Sequence, residues 1–136
     1  MMSELEFIKS LYLPYNQVKA GGNIPDFSDT IDEAAEITFN NWTHNRQQTL
    51  DFIDAFCKKM QSIQVEIAEV SCLNEATSTY VILSNWDLEL IQSPGNHSIC
   101  PMMELITLKG GRIIKTAGVM HAVGEVSQLL ASGDID

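Results

Sequence analysis

The chain is short of positive charge. Its 136 residues carry 8 Lys and Arg against 18 Asp and Glu, a formal net charge of −10. Phosphate backbones are bound by clustered Lys and Arg and repelled by an excess of carboxylates, so nucleic acid is excluded as a partner. The same balance argues against an anionic membrane surface. No run approaches the roughly 20 apolar residues of a membrane helix. The opening residues, Met1-Met2-Ser3-Glu4-Leu5-Glu6, lack a basic start followed by an apolar core, so no secretory signal is expected. Cysteine is scarce as well. Cys57, Cys72 and Cys100 are an odd number, far apart, with no Cys-x-x-Cys pair. That argues against a disulfide framework and a zinc knuckle, and for a cytoplasmic chain whose thiols pack as small hydrophobes. Outside a secretory route, the sequons at Asn41 and Asn96 carry no meaning. The three histidines, His44, His97 and His121, have no ligand spacing. Neither a metal nor a cofactor is expected.

What is present is enough for one domain spanning residues 1–136. Hydrophobic residues make up 45% of the chain, and a chain of this length buries about two-thirds of its unfolded surface. No repeat, linker or low-complexity tract interrupts it. Leu5, Ile8, Leu11, Tyr12, Tyr15 and Val18 recur at helical spacing over residues 4–20, with Pro14 inside the stripe to kink or weaken it. The acidic stretch 26–34 reads as a short second helix, and 35–40 alternates like a strand. Asn45 with Gln48 three residues on is a capping-box start for a helix over 46–60. Residues 63–73, 77–91, 100–109 and 112–122 read as four long strands, rich in Val, Ile, Thr, Tyr and Trp. Gly110-Gly111 between the last two is a hairpin signal, because a type I′ turn needs positive φ at both positions. A short helix over Gly124–Ala131 follows. The order predicts an α+β fold, with helices on one face of a curved, mainly antiparallel sheet.

That order, with Leu108-Lys109-Gly110-Gly111-Arg112-Ile113-Ile114, resembles the NTF2-like superfamily and its SnoaL-like group. In that group the penultimate strand ends in a turn read as "dGkI". The helix start Asn45-Arg46-Gln47-Gln48, followed by Phe52 and Phe56, is similar to the group's segment after its first strand. The resemblance implies a cone: a bent sheet wrapped around a pocket and capped by N-terminal helices. It also implies a homodimer joined through the sheet face. Members include ketosteroid isomerase-like enzymes, polyketide cyclases, epoxide-hydrolase-like enzymes and proteins without chemistry.

The enzyme constellations of those relatives are incomplete here. The Arg-x-Asp of epoxide-hydrolase-like members is matched by Asn85-Trp86-Asp87, which keeps the carboxylate and loses the arginine. Gly118 stands where their second aspartate lies. Their Tyr-x-Asn is matched by Phe39-Asn40-Asn41, so Asn41 remains to hold a water or an oxygen. The proton shuttle of the isomerase-like members falls in Phe39-Asn40-Asn41-Trp42, which has no acid. Tyr12 and Tyr15 are candidate phenol donors. Cyclase members use an aspartate on the last strand with a nearby histidine, and His121 closes that strand here. By parity it shares a face with Lys115, Ala117 and Val119.

One carboxylate stands out from the pattern itself. Thr107 and Lys109 read as outward residues, so period 2 puts Met102, Glu104, Ile106 and Leu108 on the other face, with a bulge after Pro101 or a cation on the neighbouring strand as the alternatives for Glu104. A desolvated Glu104 would have a raised pKa, as poised general bases do. The candidate proton-transfer residues are therefore Asp87, Glu104 and His121. The candidate pocket residues are Tyr12, Tyr15, Phe39, Asn41, Trp42, Phe56, Trp86, Met102 and Met120. Aromatic and Met-rich linings suit flat apolar ligands. Two functions follow as expectations. One is binding of a small apolar ligand, polycyclic or lipid-like, with weak isomerase- or cyclase-type proton transfer. The other is a non-catalytic dimerisation or interaction module.

Overall fold

The computed structural model describes residues 2–131. Helix α1 (Glu4–Tyr12) starts at Ser3, whose side chain accepts from the Glu6 amide and so satisfies one of the free donors of the first turn. Its face of Ile8, Leu11 and Tyr12 is buried. Pro14 has no amide proton to continue the ladder, and the stripe tightens into a 3₁₀ turn, Leu13–Gln17. Asn16 then ties this turn to the sheet by accepting from the Val65 amide at 2.6 Å.

The stretch expected as a second helix is not one. Asp26 and Asp32 bond the amides of Ser28 and Ala34, two residues on, which favours turns over helix. Arg46 pins the segment from outside, donating to the carbonyls of Ile31, at 3.0 Å, and Ser28. Phe27 is buried, and the chain has already entered strand β1 (Ile31–Phe39). A register irregularity between Ile31 and Glu36 breaks the alternation, which hides the start of this strand in the sequence. A three-residue strand, β2 (Trp42–His44), was not expected; it pairs back onto the end of β1.

Helix α2 (Arg46–Lys58) carries the full reciprocal capping box between Asn45 and Gln48. Strands β3 (Met60–Asn74), β4 (Thr79–Leu90), β5 (His97–Lys109) and β6 (Arg112–Met120) form an antiparallel meander. Helix α3 (Gly124–Ala131) buries Val126 and Leu130. The six strands form one sheet in the order β2-β1-β6-β5-β4-β3, with β1 parallel to β6 and every other pair antiparallel. Three register irregularities along β3–β4 add local twist and bend the long hairpin. Gly110 and Gly111 take φ of +60° and +75°, as the two-residue turn requires.

The concave face carries the core. Ile63, Ile82, Leu88, Cys100 and Ile106 are at most 2% exposed. Helices α1 and α2 cover this face from two sides. Among the described residues no helix is long and apolar enough to cross a membrane. The three cysteines are free thiols, two of them buried.

Candidate functional site

Between the two helices and the sheet lies a cavity of about 140 Å³. Its walls come from distinct elements. Leu11, Tyr12 and Tyr15 reach in from α1 and the 3₁₀ turn, with Phe27 beside them. Thr49, Phe52, Ile53 and Phe56 come from α2, and Ile31, Ile37, Phe39 and His44 from β1 and β2. The floor is the concave sheet: Trp86 from β4, Met102, Glu104 and Ile106 from β5, and Ile113, Thr116 and Met120 from β6.

Aromatic rings frame it at both ends. Trp86 meets the edges of Tyr12 and Tyr15 at centroid distances of 6.2 and 4.7 Å, and Tyr15 leans on Phe27. Across the cavity, Phe52 packs against Phe39, His44 and Phe56 at about 6 Å. These offsets lie in the favourable range for ring pairs.

One carboxyl group stands in this apolar room. Glu104 projects from β5 between Ile82 of β4 and Gly118 of β6, its cross-strand partners. Tyr12 donates to its Oε1 at 2.5 Å. A Cβ on Gly118 would stand only 3.4 Å from Oε2 and 3.2 Å from the end of Met102. The glycine therefore makes the room that the carboxyl group occupies. Among the described residues no hydrogen bond reaches Oε2. Burial raises the Glu104 carboxyl above its ordinary range, opposed by the Tyr12 hydrogen bond. Burial also raises the Tyr12 phenol, reinforced by the Glu104 charge, so the shared proton stays on the phenol. Burial raises Tyr15 too. The result is a carboxyl group that holds its proton more firmly than in water and is a stronger base once ionised. It can take a proton from a weak acid, or donate one to an oxygen.

Eight of the twelve residues singled out in the sequence meet at this cavity: Tyr12, Tyr15, Phe39, Phe56, Trp86, Met102, Glu104 and Met120. Four do not. Asn41 is exposed at the turn between β1 and β2. Trp42 sits behind the wall, stacked on His44 and against Phe39 and Phe52. Asp87 lies on the outer face of β4, because alternation along the strand turns its neighbour Trp86 inward. There it bonds His97 Nδ1 at 2.8 Å. The match of Asn85-Trp86-Asp87 to an inward Arg-x-Asp therefore fails on parity. His121 is exposed beyond the end of β6, where its amide donates to the Pro101 carbonyl.

Phe27 and Thr116 line the cavity without having been singled out. Phe27 was hidden by the helical reading of its acidic segment. Thr116 was legible: it shares parity with Gly118 and Met120, opposite to Lys115 and Val119. No group of three or more His, Cys, Asp or Glu among the described residues forms a metal-ligand set. The buried Cys57 thiol is pushed up to about 12, chiefly by burial, so it is no nucleophile at neutral pH.

Neither family models nor curated proteins match the chain. Solved structures do. IdmH of Streptomyces antibioticus, described as a candidate polyketide cyclase, aligns with 98% of this chain and 100% of its own at 13% identity, with a TM-score of 0.69. An NTF2-like protein of unknown function from Burkholderia pseudomallei K96243 aligns over 96% and 98% at 12% identity, also at 0.69. A candidate SnoaL-like polyketide cyclase from Jannaschia sp. CCS1 aligns over 95% and 90% at 14% identity and 0.62. At these identities the likeness establishes the architecture: the chain folds as an NTF2-like cone, with helices over the concave face of a curved, mostly antiparallel sheet.

Proposed function

We propose that the chain is a SnoaL-like small-molecule-binding protein that moves a proton on an apolar carbonyl compound held in this cavity. The observation that carries the reading is the Tyr12–Glu104 hydrogen bond inside an aromatic enclosure. Glu104, ionised, takes a proton at Oε2 from the carbon next to the carbonyl and returns it to another carbon of the same framework. That transfer completes an isomerisation; in a cyclisation the enolate carbon instead attacks a second carbonyl carbon and Glu104 gives the proton to the oxygen so formed. Tyr12 holds the carboxylate through Oε1 and fixes the direction of Oε2.

The size of the cavity narrows the ligand. Clefts for drug-sized ligands begin at roughly 300 Å³, whereas a cavity of about 150 Å³ accommodates benzene. At about 140 Å³ this one has room for a single ring inside its walls. Free thiols, two of them buried, support a reducing, cytoplasmic compartment.

Deuterium exchange at the carbons next to the carbonyl of cyclohexanone, followed by NMR in D₂O, tests this. The wild-type protein should accelerate exchange above buffer. Glu104→Gln should return it to background, a loss on the order of 100-fold or more. No acceleration by the wild type, or retention of it by the variant, would remove Glu104 as a base.

A second reading has its own observation. Leu83, Met103 and Val119 face each other across β4, β5 and β6 on the outer face, 37%, 51% and 56% exposed. A contiguous apolar row on a sheet favours a covered surface, and a dimer through the sheet face would cover it. Sedimentation should then show a dimer that Met103→Lys dissociates. A wild-type monomer at tens of micromolar would sink that reading.

A further inference from the structure

We infer that Thr116 is the second polar anchor of the cavity, and that the ligand is a single six-membered ring carrying oxygens on opposite sides. The inference rests on the proposed ligand-binding reading and specifies its substrate. Thr116 lines the cavity from β6 and is only 6% exposed. Its Oγ1 is the one buried side-chain nitrogen or oxygen among the described residues without a hydrogen-bond partner. The other polar groups of the wall with an internal partner contrast with it. Thr49 donates to the Asn45 carbonyl at 2.9 Å, Trp86 Nε1 to Ser84 Oγ at 3.0 Å, and Tyr12 to Glu104.

A buried hydroxyl without a partner lowers stability, and valine fills the same space without that cost. An apolar core position therefore has no use for this threonine. A cavity that receives an oxygen does. A staggered step of χ1 moves Oγ1 to another of the three positions on Cβ, so a ligand oxygen in the cavity that this residue lines can draw the hydroxyl toward it.

The spacing admits a small ring between the two residues. Glu104 pairs with Gly118 and Ile106 pairs with Thr116, so Glu104 and Thr116 are diagonal neighbours on the concave face. Diagonal neighbours stand roughly 7 Å apart. Two carbonyl bonds of about 1.23 Å placed on opposite carbons of a six-membered ring put their oxygens on the order of 5 Å apart. A ring of that kind fits the volume and lies across the floor from Glu104 to Thr116. One carbonyl then sits by the carboxyl group, and the other accepts from Thr116.

Two probes of matched size separate the possibilities: cyclohexane-1,4-dione, and 4-methylcyclohexanone, which has a methyl in place of the second oxygen. Each is titrated by NMR into the wild type, Thr116→Val and Thr116→Ser. The expected result is a roughly fivefold to tenfold weaker dione affinity in Thr116→Val, the loss of one neutral hydrogen bond. Thr116→Ser should keep wild-type dione affinity, and 4-methylcyclohexanone should bind Thr116→Val at least as well as the wild type. Equal changes for both probes would overturn the anchor while leaving the binding reading intact. A dione affinity unchanged in Thr116→Val, with a buried water as the hydroxyl's partner, would do the same. Binding of neither probe to the wild type would overturn both.

Discussion

The two faces of one sheet treat the same functional group in opposite ways. On the concave face Glu104 is surrounded by rings and aliphatic chains, and burial raises its carboxyl. On the convex face Glu89 accepts from the Gly95 amide at 2.8 Å and the Ser62 hydroxyl at 3.0 Å, and these bonds lower it. Asp87 beside it holds His97, whose other nitrogen lies 3.6 Å from Glu89. Outside, charge is met by donors and solvent. Inside, one phenol is the only partner of the charge among the described residues. A carboxylate that the fold stabilises is fixed in its charged form and does little. A carboxylate that the fold penalises is ready to change its protonation.

The contrast is broken hardest by emptying the concave side. Ile82, opposite Glu104 and fully buried, should cost about 2–5 kcal/mol when changed to Ala. Leu83, the next residue but on the convex face, should cost roughly 0.5 kcal/mol or less in a monomer. Urea unfolding of the pair measures the difference between the faces directly.

Tyr12→Phe comes next. It leaves Glu104 buried without its donor, a loss of about 1–3 kcal/mol at neutral pH. It should also raise the Glu104 carboxyl further, because the bond it removes is the one that lowers it.

The third effect differs in sign between the faces. Glu104 is raised on folding, so its contribution to stability is fully present below the unfolded-state value. It is lost as pH rises through the folded one. Glu104→Gln should therefore be more stable than the wild type at neutral pH, and the gap should close as pH falls. Glu89 is lowered on folding, so its contribution is present above the unfolded-state value and is lost as pH falls through the folded one. Glu89→Gln should be less stable than the wild type at neutral pH, with that gap closing on acidification. Thermal melts of both variants across pH 3–8 test the opposition.

The smallest effect concerns His97. Asp87 raises it, first through their hydrogen bond. Its contribution is present below the unfolded-state value and disappears as pH rises through the folded one. Amide exchange in residues 91–96 should quicken slightly over that rise, and His97→Gln should remove the step.

Much of this contrast was legible in the sequence, for a physical reason. A regular strand alternates its faces, so Lys109 and Thr107 put Glu104 on the opposite face; a bulge after Pro101 or a neighbouring cation stayed open until the structure placed Glu104 at the cavity. The same parity put His121 with Lys115 and Val119 on the outside. Parity misled only where it was subordinated to a motif match: taking Asp87 as an inward residue meant turning Trp86 outward, and burying an indole outweighs a three-residue likeness. The segment around Phe27 was opaque because its turns are made by Asp26 and Asp32 side chains and by Arg46 from another element. Composition alone does not separate those bonds from helix capping. The partner of Glu104 was beyond reach as well. Tyr12 lies 92 residues away along the chain, and only the packing of α1 over the sheet brings the two together. Parity places Thr116 on the inner face, but its lack of a partner needed the structure, because an unpaired hydroxyl is defined by what surrounds it.

The most direct test is the titration of Glu104 itself, read from its side-chain carboxyl carbon by NMR, with Glu89 as the internal reference. Glu104 should titrate above the ordinary glutamate value of about 4.3, and Glu89 below it. A Glu104 value at or under that figure would mean that the carboxylate is solvated or paired, and would contradict a poised base in the cone.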